Sequence, residues 1–224
     1  MTHSMPKPFA AVVAGATLFF ASAAVMAQAP AGDVKAGETK AAMCIGCHGI
    51  VGYQNSFPEI HKVPKISGQT PGYIVSALVA YQKGDRKHPS MRGIAASLSE
   101  QDMADLAAFY GSHAGNVVAA EAPSRQPTVA VAALLEKGAC ASCHGANFSK
   151  PIDPSYPKIA GQHADYLYVA LKAYTPQNSH VVGRGNPIMG GTVAQYKLSE
   201  LKQLANYLAT LDGELKTVPQ SRFR

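Results

Sequence analysis

Apolar residues recur at three- and four-residue intervals along much of the chain, and no stretch sustains the strict alternation that is typical of a β-strand. This spacing predicts helices over Lys35–Ala42, Val129–Lys137, Tyr73–Gln82 and Tyr166–Tyr174. Asp33 and Thr128 stand where they can cap the first two helices. The pattern therefore predicts an all-α protein.

A further helix is predicted in each half of the chain. In the first half, Ser99 and Asp102 have the spacing of a capping box that opens a helix ending near Tyr110. In the second half the capping box is missing. The apolar spacing is kept there, at Leu201, Leu204, Leu208 and Leu211.

The helical pattern belongs to an internal repeat. The segment PKISGQTPGYIVSALVAY (Pro64–Tyr81) aligns with PKIAGQHADYLYVALKAY (Pro157–Tyr174), and Met91 aligns with Met189. Between the copies lies a stretch rich in Ala, Pro and Ser. The chain is thus predicted to be two tandem copies of one domain, at 28–111 and 128–224, joined by a linker at 112–127.

The first 27 residues have the pattern of a signal peptide. Lys7 precedes an apolar stretch from Phe9 to Val25, and Val25-Met26-Ala27 has the small residues of a cleavage site. An uncleaved membrane anchor is the alternative, since the stretch is only slightly shorter than the roughly 20 residues that span a bilayer. We expect cleavage near Ala27 and export to the periplasm.

Charge adds little to this picture. The formal net charge is +6, and it becomes +5 once Lys7 leaves with the first 27 residues. Residues 127–224 hold ten Lys and Arg against six Asp and Glu, which weakly favours an acidic partner for the second half. Nucleic acid is a poor candidate partner because the basic residues are scattered.

All four cysteines lie in two copies of one phrase, CIGCHG at Cys44–Gly49 and CASCHG at Cys140–Gly145. Cys-x-x-Cys-His is the attachment motif of haem c. The cysteines of each pair, Cys44 and Cys47 or Cys140 and Cys143, would bond to the porphyrin, and the next residue, His48 or His144, would bind the iron.

Three other interpretations of the cysteines are weaker. Two disulfides are the default for an exported chain. A zinc site needs four ligands, and each half offers two cysteines beside one histidine. A thioredoxin-like redox motif needs a βαβ setting, which neither half has.

Methionine is the candidate ligand for the opposite face of each iron. Met189 is the only methionine of the second half, and Met91 is its partner in the repeat. Met43 lies too close to Cys44, and Met103 falls within a helix, so both are expected in the core.

Histidines are the rival ligands, and ligation by two histidines stays open. These rivals are unmatched between the copies: His61, His88, His163 and His180. His113, in the linker region, is expected at the surface.

Together these motifs resemble the dihaem class I cytochromes c of the cytochrome c4 type, over nearly the whole mature chain. The resemblance implies two cytochrome c domains, each wrapped around one haem c. It also implies that the carbonyl groups of Pro64 and Pro157 accept hydrogen bonds from the proximal histidines His48 and His144. The two copies differ in two ways. The loop that leads to Met189 is longer than the loop that leads to Met91, and the first copy contains an additional histidine, His61.

Ligation by His and Met would leave no open position on the iron, so the expected function is single-electron transfer rather than catalysis. The leading expectation is a periplasmic carrier that docks transiently with a quinol:cytochrome c oxidoreductase and a terminal oxidase or reductase, with peripheral contact to the membrane surface. A dihaem subunit of a larger dehydrogenase, such as one with a flavoprotein, is the alternative. A dihaem peroxidase or thiosulfate-oxidising enzyme is disfavoured, because those need a haem without a distal Met.

Overall fold

The computed structural model describes residues 1–3, 30–115, 121–176 and 179–219. The predicted signal segment, apart from its first residues, and residues 116–120 of the predicted linker lie outside these ranges. Within the described residues, no helix is long and apolar enough to cross a membrane.

Helices dominate both halves, in matching order. Those of the first half are α1 (Val34–Lys40), α2 (Ala42–His48), α3 (Pro71–Lys83), α4 (Pro89–Ala96) and α5 (Glu100–Ser112). Those of the second half are α6 (Val129–Lys137), α7 (Cys140–His144), α8 (Ala164–Lys172), α9 (Pro187–Val193) and α10 (Leu198–Thr210).

The predicted helix starts are confirmed by their caps. The Asp33 carboxylate accepts from Ala36 N at 2.6 Å, and the Thr128 hydroxyl accepts from Val131 N at 3.3 Å. Ser99 and Asp102 form the expected capping box at α5. Helix α10 keeps half of such a box, because the Glu200 carboxylate accepts from Lys197 N at 2.7 Å.

The short helices α4 and α9 were not predicted. The sequence suggested loops around Met91 and Met189, yet each methionine is the third residue of a helix that begins with a proline. Proline is well suited to the first helical position, because its fixed φ matches the helix and the amide there needs no partner.

Each half has its own apolar core. In the first half, α1 and α3 pack on α5 around the fully buried Met103 and Leu106. Gly37 lets α1 approach closely, because a Cβ there would collide with the Asp105 carbonyl of α5. In the second half, α8 and α6 pack on α10 around Leu201, Leu204 and Leu208.

Within the described ranges, the strands have two residues each and form two antiparallel pairs. Strand β1 (Gln54–Asn55) pairs with β2 (His61–Lys62) within the first half. Strand β3 (Arg86–Lys87) pairs with β4 (Gly183–Arg184), which joins the two halves. Two-residue strands carry no sequence periodicity, so the apolar pattern predicted none of them.

The halves pack as a pseudo-symmetric pair, joined by reciprocal hydrogen bonds. The amide of Gln69 accepts from Lys158 N at 2.8 Å and donates to Lys158 O at 3.0 Å. The amide of Gln162 makes the mirror pair with Lys65, accepting from its N at 3.0 Å and donating to its O at 2.9 Å. The PKI-x-GQ segment that both copies share thus builds the junction between the two domains.

Candidate haem sites

Helix α2 carries the first Cys-x-x-Cys-His motif. Cys44 and Cys47 are three residues apart on one helix and therefore lie on the same face. His48 is the last residue of the helix, and its Nδ1 lies 2.9 Å from the carbonyl oxygen of Pro64. Because a carbonyl oxygen only accepts, Nδ1 carries the proton and Nε2 keeps the lone pair that a metal needs.

The second motif repeats this arrangement. Helix α7 contains Cys140, Cys143 and His144, and His144 Nδ1 lies 3.0 Å from the carbonyl oxygen of Pro157. The two histidines are thus held in the same tautomer by the same kind of partner, in corresponding positions of the repeat.

Desolvation favours the neutral form of the histidine and of the first cysteine in each motif. Burial lowers the pKa of His48 and of His144, and the hydrogen bond to the proline carbonyl opposes the shift in each case. Burial also raises the pKa of the Cys44 thiol to about 11 and raises that of Cys140. Neutral imidazole is the form that binds a metal ion.

The two candidate distal methionines occupy matching positions. Met91 N donates to His88 Nδ1 at 3.4 Å, and Met189 N donates to the Asn186 carboxamide oxygen at 3.0 Å. A polar cap therefore fixes the first turn that carries each methionine. Met189 also packs against the cluster of Val193 and Leu201.

The other two methionines of the first half, Met43 and Met103, differ in how deeply they are buried. Met103 is 1% exposed and belongs to the core, as expected. The expectation that Met43 is a core residue was wrong, since it is 48% exposed. The reason is the orientation of α2, which turns Ile45 inward and leaves Met43 facing outward.

The rival histidines have other roles in the structure. Buried His61 places Nδ1 2.8 Å from Glu59 O, and His163 stands at the N-cap position of α8. His88 caps α4, and His180 is exposed. The surface assignment of His113 was wrong: it is partly buried, with Nδ1 2.9 Å from Ser67 Oγ and its ring against Phe109.

The donor set fits haem rather than a bare ion. Among the described residues, no group of three or more His, Cys, Asp and Glu side chains could hold a metal. Each half instead offers one histidine with a free Nε2 and one methionine at a matched position. That set suits an iron whose other four ligands come from a porphyrin, and the two thiols beside each histidine suit its covalent attachment.

Known proteins show the same organisation. The family model for cytochrome c matches residues 34–113 and 129–212. Cytochrome c4 of Stutzerimonas stutzeri is 32% identical over 194 residues, covering 81% of this chain and 90% of that protein. A thiosulfate dehydrogenase electron acceptor of Thiomonas intermedia (strain K12) is 31% identical over 181 residues, covering 75% of this chain and 76% of that protein.

The fold agrees with a solved structure as well. The crystal structure of reduced recombinant cytochrome c4 from Pseudomonas stutzeri superposes with a TM-score of 0.54 at 27% identity, covering 81% of this chain and 100% of that one. The chain therefore belongs to the cytochrome c family. Within it, the chain is of the dihaem cytochrome c4 type, an electron-transfer protein with two covalently bound haem c groups and not an enzyme.

Sequence reasoning missed two arginines between the sites. Arg86 and Arg184 face each other as register partners of β3 and β4. A signal for them was present, because each stands five residues before the candidate methionine of its half.

Proposed function

We propose that each half binds its haem through one Cys-x-x-Cys-His motif and one methionine. The thiols would form thioether bonds to the porphyrin, and the histidine and methionine would bind the iron from opposite faces. The residues are Cys44, Cys47, His48 and Met91 in the first half and Cys140, Cys143, His144 and Met189 in the second. The observation that carries this proposal is the matched bond of His48 and His144 to a proline carbonyl.

The chain's own residues would hold and tune each site. The carbonyl groups of Pro64 and Pro157 fix the ring orientation of the histidines and raise their basicity. The capped first turns of α4 and α9 hold the methionines. A bound haem supplies single-electron chemistry, and with both axial positions filled by protein it has no place for a substrate.

As to cellular role, we propose a periplasmic carrier that takes electrons from a quinol:cytochrome c oxidoreductase and passes them to a terminal oxidase or reductase. Export is supported by the apolar segment before residue 28. It is also supported by the placement of all four cysteines in haem-attachment motifs, which leaves none free to be oxidised.

Transient docking is supported by the surface beside the first site. Residues 41–58 contain no Lys, Arg, Asp or Glu. Three apolar side chains of this segment, Met43, Ile50 and Val51, are 48%, 48% and 73% exposed. A small, uncharged apolar patch next to a cofactor is suited to brief contact with a redox partner.

A second candidate role is electron acceptor of a thiosulfate dehydrogenase. The similarity to the thiosulfate dehydrogenase electron acceptor of Thiomonas intermedia favours it. In this role too the chain would carry electrons, and only the donor would differ.

Stopped-flow reduction of the oxidised protein distinguishes the two donors. Fast reduction by a quinol:cytochrome c oxidoreductase supports the respiratory role, and fast reduction only by thiosulfate dehydrogenase with thiosulfate supports the second.

Val51→Lys should slow reduction by the true donor if docking uses residues 41–58. Val129→Lys, at a position that is 90% exposed on α6, is the matched control and should react like the parent.

A further inference from the structure

The last turn of α5 holds a buried hydroxyl group that lacks a hydrogen-bond partner. The side chain of Tyr110 is 3% exposed, and its hydroxyl oxygen has no partner in the described part of the chain. A buried phenol usually finds a partner, because a hydroxyl removed from water loses its bonds to water. A phenylalanine would fill nearly the same space without that cost. The presence of the hydroxyl therefore calls for an acceptor close to Tyr110.

The candidate acceptor is the sulfur of Cys44, the first cysteine of the first haem motif. The Cys44 side chain packs against the apolar cluster that contains Tyr110. The two groups also act on each other. Burial raises the pKa of both, and beyond burial the neighbouring Cys44 raises the pKa of Tyr110 further, while the contact with Tyr110 lowers the pKa of Cys44. The phenol and the sulfur are therefore neighbours inside the first half.

Attachment of the haem would make this sulfur an acceptor only. The thiol of Cys44 would bond to one vinyl carbon of the porphyrin, and its hydrogen would pass to the other vinyl carbon. The resulting thioether sulfur keeps its lone pairs and has no hydrogen to donate. The Tyr110 hydroxyl has a hydrogen and can turn about its C–O bond, so it suits this acceptor.

The second half has no phenol at the equivalent position. Tyr110 and Leu208 are both third from the end of their helices, α5 and α10. The Tyr110 carbonyl accepts from Gly68 N at 2.8 Å, and the Leu208 carbonyl accepts from Gly161 N at 2.9 Å. The two residues are thus equivalent in the repeat, and a buried leucine in the second half takes the place of the phenol.

The second half does have a tyrosine near its own first cysteine, but the hydroxyl of that tyrosine is already used. Burial, followed by Cys140 and Glu200, raises the pKa of Tyr196 to about 12, which places this phenol close to the Cys140 thiol. Tyr196 donates to the Leu134 carbonyl oxygen at 2.7 Å. A hydroxyl has one hydrogen, so Tyr196 cannot also donate to the Cys140 sulfur. Of these two phenols, only that of Tyr110 is free to donate to a cysteine sulfur.

We propose that the Tyr110 hydroxyl donates a hydrogen bond to the Cys44 sulfur in the holoprotein and thereby tunes the first haem alone. The bond draws electron density from the sulfur and from the porphyrin attached to it. Lower electron density favours ferrous iron, so the bond raises the midpoint potential of the first haem. Tyr110 is a positioning residue, because it acts on the cofactor through Cys44. This inference rests on the haem attachment proposed above.

The test uses the purified holoprotein and Tyr110→Phe, which removes only the hydroxyl. Spectroelectrochemical titration gives the two midpoint potentials. Resonance Raman spectroscopy gives the C–S stretching modes of the thioether bonds, before and after the protein is unfolded and refolded in D₂O so that buried hydroxyls exchange. In the parent, one C–S mode should shift in D₂O. In Tyr110→Phe that shift should be lost, and one of the two potentials should fall while the other stays.

Tyr207→Phe is the matched control. Tyr207 precedes the equivalent position in α10, and its hydroxyl donates to Arg125 O at 2.8 Å. This variant also loses one phenolic hydroxyl, but that hydroxyl is already paired with the backbone. It should keep both potentials and the deuterium shift of the parent.

Three results would overturn the proposal. The first is a parent protein without a deuterium-sensitive C–S mode, and this result stays decisive even if Tyr110→Phe does not fold. The second is a Tyr110→Phe variant in which neither potential changes or both change equally. The third is a deuterium shift that survives in Tyr110→Phe, because the donor would then be another group. The mass of the denatured parent tests haem attachment separately, so a failure of the proposed attachment would be seen as missing haem.

Discussion

At the scale of single residues, the histidines of the two motifs are set by one hydrogen bond each. Nδ1 of His48 and of His144 donates to a proline carbonyl 13 to 16 residues further along the chain. This leaves the Nε2 lone pair of each ring available to a metal and fixes the ring plane. The proposed opposite ligand, a methionine, is carried by the first turn of a short helix in each half.

Replacing Met189 with Ala tests that ligand. We expect both haems to stay attached, because Cys140 and Cys143 still hold the second porphyrin. The methionine-to-iron charge-transfer band should lose about half its intensity, and the potential of the second haem should fall, because thioether ligation favours ferrous iron. Visible absorbance and a redox titration give both quantities.

Met43→Ala is the control for this variant, because Met43 is exposed. It should leave the charge-transfer band at full strength. If Met189→Ala keeps the parent's band and potential, a histidine such as His163 or His180 is the ligand, and the proposed His and Met set for this domain is wrong.

At the scale of elements, the first half fastens its first helix in a way that the second half does not. Buried Asp105 of α5 accepts from Asp33 N at 2.8 Å and pairs with Lys40 at 2.5 Å, which ties both ends of α1 to α5. The corresponding position in α10 is Gln203, which is exposed. The two copies thus share their helix order but differ in how the terminal helices are held.

Asp105→Asn should destabilise the first half in a pH-dependent way. The hydrogen bond from Asp33 N, with Lys40 and Gln101, lowers the pKa of Asp105 below the unfolded value of about 3.9. The charged carboxylate therefore contributes stability above about pH 4, and this contribution is lost as the pH falls through the lowered folded pKa. Urea titrations at several pH values measure it.

The expected result is a deficit of the Asn variant at neutral pH that shrinks towards acid. Glu136→Gln, at an exposed position of α6, should show no such pattern. A deficit that stays constant down to the acid limit would contradict the role of the Asp105 charge.

The sequence predicted the repeated parts of this architecture well, and for a physical reason. Helix caps such as Asp33 and Thr128 act over three residues, and the apolar spacing of a helix repeats within its own length. The Cys-x-x-Cys-His motifs are equally local. The contacts of Gln69 with Lys158, and of Arg86 with Tyr166, join residues 80 to 90 positions apart, and no local pattern predicts them.

At the scale of the whole molecule, the PKI-x-GQ repeat has a role beyond each domain. Gln69 and Gln162 each bond the backbone of the other half twice. Gly68 and Gly161, which precede them, have φ of +83° and +70°, a region that favours glycine. The same sequence element thus forms both sides of a reciprocal junction.

Gln69→Leu and Gln162→Leu should each weaken this junction. Each change leaves a backbone N–H and C=O of the other half without partners at a partly buried position, at a cost of about 1–3 kcal/mol in the free energy of unfolding. Denaturant unfolding followed by circular dichroism measures the loss.

Gln195→Leu, at an exposed position, is the control and should stay close to the parent. Equal stability of the parent and all three variants would mean that the bonds of Gln69 and Gln162 contribute nothing to the stability of the junction.

The central claim is that each half of this chain carries one covalently bound haem with histidine and methionine ligands. A potentiometric titration of the purified protein, followed by visible absorbance, tests it most directly. The account predicts two electrons per chain and a methionine-to-iron charge-transfer band in the oxidised form with the intensity of two haems. One electron per chain, or an oxidised spectrum without that band, would contradict it.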